Sequence, residues 1–94
     1  MMIKKRKMVF EHQKGLHARV AALIAKRANR LAEKYGDKLF IGYDENNLFP
    51  ATSLISVSSA KIDYQDEFIT LSKGENAEES IEEFVEFLAG SFDL

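Results

Sequence analysis

The chain has 94 residues, 46% of them hydrophobic and 30% charged, which suits one small domain, residues 1–94, with a single core. It lacks cysteine, has only two histidines and has no apolar run longer than Val20–Ala25; this excludes disulfides, a metal site of thiolates or several histidines, a secretory signal and a membrane span, and favours the cytoplasm. Residues 1–34 carry a net charge of +8 and residues 35–94 carry −10, a split that gives one positive and one negative surface if the two parts segregate in space.

The first predicted elements are a strand and a long amphipathic helix. Residues 2–10 hold apolar residues next to a basic cluster and precede a glycine-containing loop, a pattern typical of a strand. From about Ala18 to Tyr35 the periodicity predicts a helix, and Gly36 suits its C-cap. The apolar residues of this helix form one stripe for burial: Val20, Leu23, Ile24, Ala28, Leu31 and Tyr35.

Two strands joined by a turn follow this helix. Leu39–Tyr43 is an apolar and aromatic run that predicts the second strand. The four polar residues Asp44–Asn47 have turn chemistry, and Leu48-Phe49 begins a short third strand. Because proline cannot donate a hydrogen bond to a strand ladder, Pro50 places this strand at a sheet edge or ends it.

The last part of the chain predicts a short helix, a fourth strand and a final helix. Thr52 or Ser53 can cap the short helix, and residues 68–71 predict the strand. A turn at residues 73–76 leads into the final helix, which ends at Gly90. The apolar face of that helix is formed by Ile81, Phe84, Val85 and Leu88, and its solvent face by Glu78, Glu79, Glu82, Glu83 and Glu86.

The predicted element order is therefore β-α-β-β-α-β-α. Three amphipathic helices and a mostly antiparallel sheet predict an α+β fold with two layers, in which a four-stranded antiparallel sheet has three helices on one face. The other face of the sheet is expected to be open to water. Four aromatic residues are expected in the core: Phe40, Phe68, Phe84 and Phe87.

The segment Gly15-Leu16-His17-Ala18-Arg19 places a histidine where the first helix begins. An unperturbed imidazole has a pKa of about 6.5, so that much of it is a neutral nucleophile at cellular pH and can accept a phosphoryl group. The free N–H groups of the first turn, at Ala18, Arg19 and Val20, can bind the phosphoryl oxygens. Arg19 can add a charge-assisted hydrogen bond. This chemistry requires no metal and no organic cofactor.

The same segment, followed by Ala21-Ala22, resembles the active-site signature of HPr, the histidine-containing phosphocarrier protein of the bacterial sugar phosphotransferase system. A second block, Thr52–Val57, resembles the regulatory-serine helix of that family, and Phe68–Ser72 and the acidic final helix also fit. The resemblance covers nearly the whole chain, and the predicted element order agrees with the open-faced fold of the family.

The resemblance implies roles for individual residues. His17 would be the phosphorylated residue, Arg19 the cation that faces the phosphate, and Ser53 the serine that an HPr kinase/phosphorylase modifies in some bacteria. Enzyme I would supply the phosphoryl group to a monomeric carrier, and sugar-specific proteins of the IIA type would receive it. Apart from the resemblance, Lys26, Arg27 and Arg30 would form a solvated face in most proteins. Because they extend from the active end of the first helix, docking of acidic partners there, with Leu54, is the second interpretation.

Three features depart from the family pattern. Val20 stands where the family usually has proline, the stretch between His17 and Ser53 is a few residues longer, around Leu31–Asp37, and Lys61 replaces a common glycine. Proline in a first helical turn fixes φ in advance, so that valine at this position loses rigidity but keeps one N–H donor. These departures suggest a divergent paralogue.

Two other functions remain open at this stage. The chain can be a regulatory binding module of the same fold, controlled by phosphorylation of Ser53, although Ser53 can equally be an ordinary N-cap. Binding of nucleic acid would use the basic residues of the first third, and the −10 charge of the rest of the chain counts against it. These basic residues are Lys4, Lys5, Arg6, Lys7, Lys26, Arg27 and Arg30. His12 is interpreted as a surface residue at a strand end, without a role.

Overall fold

One antiparallel sheet, covered on one face by helices, forms the part of the chain that the computed structural model describes, residues 1–90 and Phe92. Residues 91, 93 and 94 of the predicted domain lie outside it. The elements in chain order are β1 (Met2–Val9), α1 (Ala18–Tyr35), β2 (Lys38–Gly42), β3 (Leu48–Pro50), α2 (Leu54–Ser59), β4 (Glu67–Gly74) and α3 (Ala77–Ala89). The strand order is β1-β4-β2-β3 with every neighbouring pair antiparallel, which confirms the predicted α+β fold and element order.

The core lies between the sheet and the helices. The stripe of α1 that faces it is formed by Val20, Ala21, Ile24, Ala25, Ala28 and Leu31. From α3, Ile81 and Phe84 are fully buried. Within this core, the rings of Phe10 and Phe68 meet edge to face with centroids 5.8 Å apart, a favoured aromatic geometry. Burial of this apolar surface supplies most of the driving force for folding.

The open face of the sheet contains one residue that the sequence analysis assigned to the core. Phe40 pairs with Leu71 in β4, and Leu71 pairs with Lys5 in β1, so that all three side chains share one face. Because successive side chains of a strand alternate in direction, Leu39 and Ile41 take the buried positions of β2. The prediction that Phe40 belongs to the core was therefore wrong, whereas Phe68 and Phe84 are confirmed.

The positive and negative parts of the chain intermix where β1 meets its neighbours. Lys4 pairs with Glu78 at 3.5 Å and Arg6 with Glu82 at 2.8 Å, both across to α3. Two further pairs, Lys5–Glu45 and Lys7–Glu67, lie on the other face of the strand. The basic cluster of β1 thus has acidic neighbours on both faces, and the charges do not segregate there into separate surfaces.

The C-terminal end of α1 is closed by a set of paired polar groups. Gly36 adopts a left-handed conformation (φ 73°) and its N–H donates to the Ala32 carbonyl at 2.8 Å, as its predicted role as C-cap requires. The carboxylate of Asp37 accepts from Ser80 Oγ at 2.8 Å and from the Asn76 N–H at 3.3 Å. Ser80 also contacts Ser72 Oγ at 2.6 Å. We call Asp37, Ser72, Asn76 and Ser80 the Asp37 cluster.

No helix among residues 1–90 is long and apolar enough to cross a membrane.

Candidate functional site

The backbone around Gly15 places His17 at the first turn of α1. Gly15 is left-handed (φ 70°), a conformation that favours glycine, and its N–H donates to the His12 carbonyl at 2.9 Å. The Leu16 N–H then donates to the Ile62 carbonyl at 2.9 Å. His17 follows as the N-cap, with an extended backbone (φ −81°, ψ 172°) and no side-chain cap bond. The turn thus delivers the imidazole to the helix N-terminus without engaging it as a cap.

The first turn of α1 has N–H groups without a helical partner and no acidic residue of its own. The N–H groups of Ala18, Arg19 and Val20 come before the first helical donor, the Ala21 N–H, and so have no helical partner. The first helical bond runs from the Ala21 N–H to the His17 carbonyl at 2.9 Å, and the turn contains no acidic residue. Such a terminus binds anions. Val20 is fully buried in the core, and its N–H is a donor that proline would lack.

The two nitrogens of the His17 ring differ in environment. Nε2 is buried and has no hydrogen-bond partner within residues 1–90 and Phe92, and Nδ1 does not share this combination of burial and missing partner. A nitrogen that attacks a phosphoryl donor on another protein must be reachable from outside. The enclosed Nε2 does not meet this requirement.

His12 lies against His17, which the sequence analysis did not foresee. The two ring centroids are 5.4 Å apart at an angle of 60°, and Phe92 stands edge-on to His12 at 5.8 Å. His12 is half-buried, three residues beyond the end of β1. The sequence analysis placed His12 at the surface by a strand end and gave it no role; in the structure it is half-buried against a second imidazole. The signal in the sequence was the glycine turn between the two histidines, which reverses the chain and brings the rings together.

An open pocket surrounds these two rings. One wall is formed by the loop before α1 and its first turn, with His12, Lys14, His17 and Arg19, and the other by Leu88–Gly90 and Phe92. Arg19 is exposed and makes no ion pair with any residue in the described range. Lys14 adds a second cation, and among the described residues that line the pocket Glu11 alone is acidic. The pocket can receive a dianion beside His17.

The loop between α2 and β4 contacts the turn before His17, because its Ile62 carbonyl accepts from the Leu16 N–H. This loop has further hydrogen bonds of its own. Tyr43 Oη donates to Asp66 Oδ2 at 2.8 Å, and so does the Asp63 N–H, also at 2.8 Å. The backbone N–H of Asp63 and then the Tyr43 hydroxyl hold the pKa of the Asp66 carboxyl below its ordinary range, and Asp66 raises the pKa of Tyr43. In the same loop Lys61 is left-handed (φ 52°), which gives a physical reason for the glycine that the family commonly has there.

The remaining predicted site residues lie outside the pocket. Ser53 is the N-cap of α2, and its Oγ accepts from the Ser56 N–H at 3.3 Å, so that of Thr52 and Ser53 it is Ser53 that caps the helix. Leu54 beside it is 47% exposed and Ile55 is 80% exposed. Lys26 and Arg30 are exposed along α1. Arg27 differs from them, because its guanidinium stacks on the Phe87 ring at 4.7 Å.

The fold and the site together define a class, that of small open-faced α+β domains that present a histidine at the N-terminus of their first covering helix. A family model described as the HPr component phosphorylation site of the phosphotransferase system (PTS) matches residues 4–90. The chain belongs to this HPr family.

Solved structures agree with this assignment. HPr from Thermoanaerobacter tengcongensis is 24% identical with a TM-score of 0.77, and covers 97% of each chain. HPr from Bacillus anthracis is 25% identical with a TM-score of 0.76, over 90% of this chain and 95% of that one. The catabolite repression protein Crh of Bacillus subtilis, described as a domain-swapped dimer, is 24% identical with a TM-score of 0.65, over 88% and 90%. No curated protein sequence matches the chain.

Proposed function

We propose that the protein is a phosphoryl carrier of the phosphoenolpyruvate-dependent sugar phosphotransferase system. His17 accepts a phosphoryl group from enzyme I and passes it to a IIA-type protein, and the carrier itself is a protein substrate of the relay and not its catalyst. The observation that supports this most is the placement of His17 at an uncapped helix N-terminus with three free N–H groups beside it. The proposal places the protein in the cytoplasm.

The geometry supports a simple transfer. The lone pair of Nδ1 attacks phosphorus, and the bond from phosphorus to the donor's leaving group breaks as the new N–P bond forms. The phosphoryl oxygens accept hydrogen bonds from the N–H groups of the first turn, and the positive end of the helix dipole favours their charge. Arg19, exposed at the mouth of the pocket, adds a charge-assisted bond. The acceptor then attacks the same phosphorus, the N–P bond breaks as the new bond forms, and its electron pair returns to Nδ1.

The surface beside His17 suits an acidic partner with an apolar contact region. Leu54 and Ile55 expose apolar surface on α2, and Lys26 and Arg30 line the neighbouring helix. Asn29 of α1 donates to the Thr52 carbonyl at 2.8 Å, which links α1 to the residues just before α2. Exposed apolar side chains ringed by charge are typical of protein interaction sites. We assign enzyme I and IIA-type partners to this surface, with Arg27 contributing through its stack on Phe87.

Phosphorylation by purified enzyme I and phosphoenolpyruvate tests the proposal. We expect one acid-labile phosphate on the wild-type chain and none on His17→Ala. Lys26→Ala serves as the matched control, because it removes a cation of the same helix outside the pocket and should retain the label at equilibrium. An unchanged acid-labile signal in His17→Ala, or no labelling of the wild-type chain, would contradict the assignment.

A second function, regulatory binding controlled by Ser53, has one observation in its favour. Ser53 caps α2 directly beside the exposed Leu54 and Ile55, so that a phosphate on its Oγ would change the charge of the surface to which partners bind. The test is incubation with an HPr kinase/phosphorylase and ATP. Acid-stable phosphate that is lost in Ser53→Ala, together with an unreactive His17, would favour this function over the carrier.

A further inference from the structure

The structure contains two imidazole nitrogens that are both buried and unpaired, one on each ring of the His12–His17 pair. They are Nδ1 of His12 and Nε2 of His17, and neither has a hydrogen-bond partner within residues 1–90 and Phe92. Buried polar atoms without a partner are rare in folded proteins and need an explanation. That the two atoms lie on adjacent rings is the first clue to one.

The two rings are close enough to satisfy each other. At a centroid separation of 5.4 Å, two imidazoles that turn one nitrogen toward each other bring those nitrogens within hydrogen-bond distance. The χ2 torsion of histidine is broad, so that a small ring rotation costs little. Packing limits larger movements, because Phe10 and Phe92 flank His12 with ring centroids at 6.4 Å and 5.8 Å.

We propose that His12 is a positioning residue for His17, whose Nε2–H donates a hydrogen bond to His12 Nδ1. The inference rests on the proposed function in one respect only, that His17 is the phosphoryl acceptor. A neutral imidazole carries its single proton on one nitrogen. If that proton lies on Nε2 and is held by His12, the lone pair lies on Nδ1, the nitrogen that is left to attack.

Three consequences follow for the reaction. His12 selects the tautomer of His17 that can attack, it fixes the plane of the ring relative to the free N–H groups of α1, and it leaves the nucleophilic nitrogen untouched. A second group that orients a reacting imidazole in this way is a general device of histidine chemistry. Other described residues that line the same pocket, Glu11, Lys14 and Arg19, form no hydrogen bond with His17 Nε2 or His12 Nδ1.

The unphosphorylated protein tests the hydrogen bond directly. In ¹⁵N-labelled wild-type protein we expect the proton of neutral His17 on Nε2 and a scalar coupling through the hydrogen bond between His17 Nε2 and His12 Nδ1. A proton on Nδ1 of His17 overturns the proposal. So does the absence of the coupling, which a bridging water would produce.

Two variants test its effect on transfer. His12→Phe keeps an aromatic ring against Phe10 and Phe92 but removes the acceptor, whereas His12→Asn places an amide oxygen near the position of Nδ1. We expect phosphorylation of His17 to slow about two- to tenfold in His12→Phe, the range of one lost hydrogen bond, and to recover in His12→Asn. An equal rate in His12→Phe and the wild-type protein, or failure of His12→Asn to recover, overturns the proposal.

The two arms separate this proposal from the proposed function. If the wild-type chain takes no phosphate from enzyme I, the carrier function fails, and the coupling still decides whether His12 holds His17. If the wild-type chain is phosphorylated and the coupling is absent, the positioning role fails alone. Should His12→Phe not fold, which circular dichroism reports, the coupling in the wild-type protein remains decisive.

Discussion

The polar groups at the two ends of α1 differ in whether they have hydrogen-bond partners. At the C-terminal end, Gly36 caps the helix and the Asp37 carboxylate receives two hydrogen bonds from the Asp37 cluster. At the N-terminal end, His17 forms no side-chain cap, and two imidazole nitrogens are buried without a partner within the described residues. The polar groups at the C-terminal end of α1 are therefore hydrogen-bonded, whereas those at its N-terminal end lack partners within the described residues.

The hydrogen-bonded groups at the C-terminal end of α1 stabilise the fold, whereas the groups at its N-terminal end can bind a ligand. The Asp37 carboxylate would cost about 1–3 kcal/mol if it lost its partners, whereas the first-turn N–H groups of α1 and the exposed Arg19 side chain are left for a ligand. We therefore expect changes in the Asp37 cluster to reduce stability while transfer in the folded protein persists. Changes around His17 should reduce transfer and leave the free energy of unfolding almost unchanged.

Among the substitutions that test this comparison, Gly74→Ala is expected to have the largest effect, on the free energy of unfolding. Gly74 lies at the end of β4 with φ 153°, and a Cβ there would overlap the Asp37 carboxylate and lie 3.1 Å from its Cα. Strain and overpacking together should lower the free energy of unfolding by about 3 kcal/mol, as measured by urea denaturation.

Gly36→Ala is the matched control for this change. Gly36 is also left-handed, but no atom lies within 4 Å of the position its Cβ would take, so that only backbone strain of about 1–2 kcal/mol is expected. Equal losses in the two variants would show that Asp37 does not constrain this junction.

Arg19→Ala should produce the next effect, at the other end of α1. Loss of a charge-assisted hydrogen bond costs about 1.5–3 kcal/mol, which corresponds to a rate of phosphorylation at least about tenfold lower. The free energy of unfolding should change by less than about 0.5 kcal/mol, since Arg19 is exposed. Arg30 is another exposed arginine of the same helix, and Arg30→Ala should slow transfer less. A larger loss of rate in Arg30→Ala than in Arg19→Ala would contradict the role proposed for Arg19.

The smallest effect concerns Glu83 and the pH dependence of stability. Hydrogen bonds from the Tyr35 hydroxyl and the Lys34 ammonium hold the pKa of Glu83 below its ordinary value of 4.5. A carboxyl with a lowered pKa in the folded state stabilises above its unfolded pKa and loses this contribution as the pH falls through the folded one. Wild-type stability should therefore fall more steeply below pH 4.5 than that of Glu83→Gln. Parallel curves in denaturation at a series of pH values would contradict this.

Local sequence patterns predicted the helices and strands. Which residues meet at the site depends on contacts between those elements, which local patterns do not determine. The apolar stripe of α1 and the glycine after it predicted its bounds, and the residues around His17 predicted where it would lie. The approach of His12 to His17 depends on a turn whose direction Gly15 permits but does not specify. The position of Phe40 on the open face depends on strand register, which alternation alone leaves undecided by one residue.

The two outer strands of the sheet carry a further consequence. β1 contains four consecutive basic residues, Lys4–Lys7, and β3 is three residues long and ends in Pro50. An unpaired edge is a template onto which another chain can add a strand, and both lysine and proline at an edge oppose this. Edge-to-edge aggregation of this chain is therefore disfavoured at both sides of the sheet, even though one face of that sheet is left uncovered by helices.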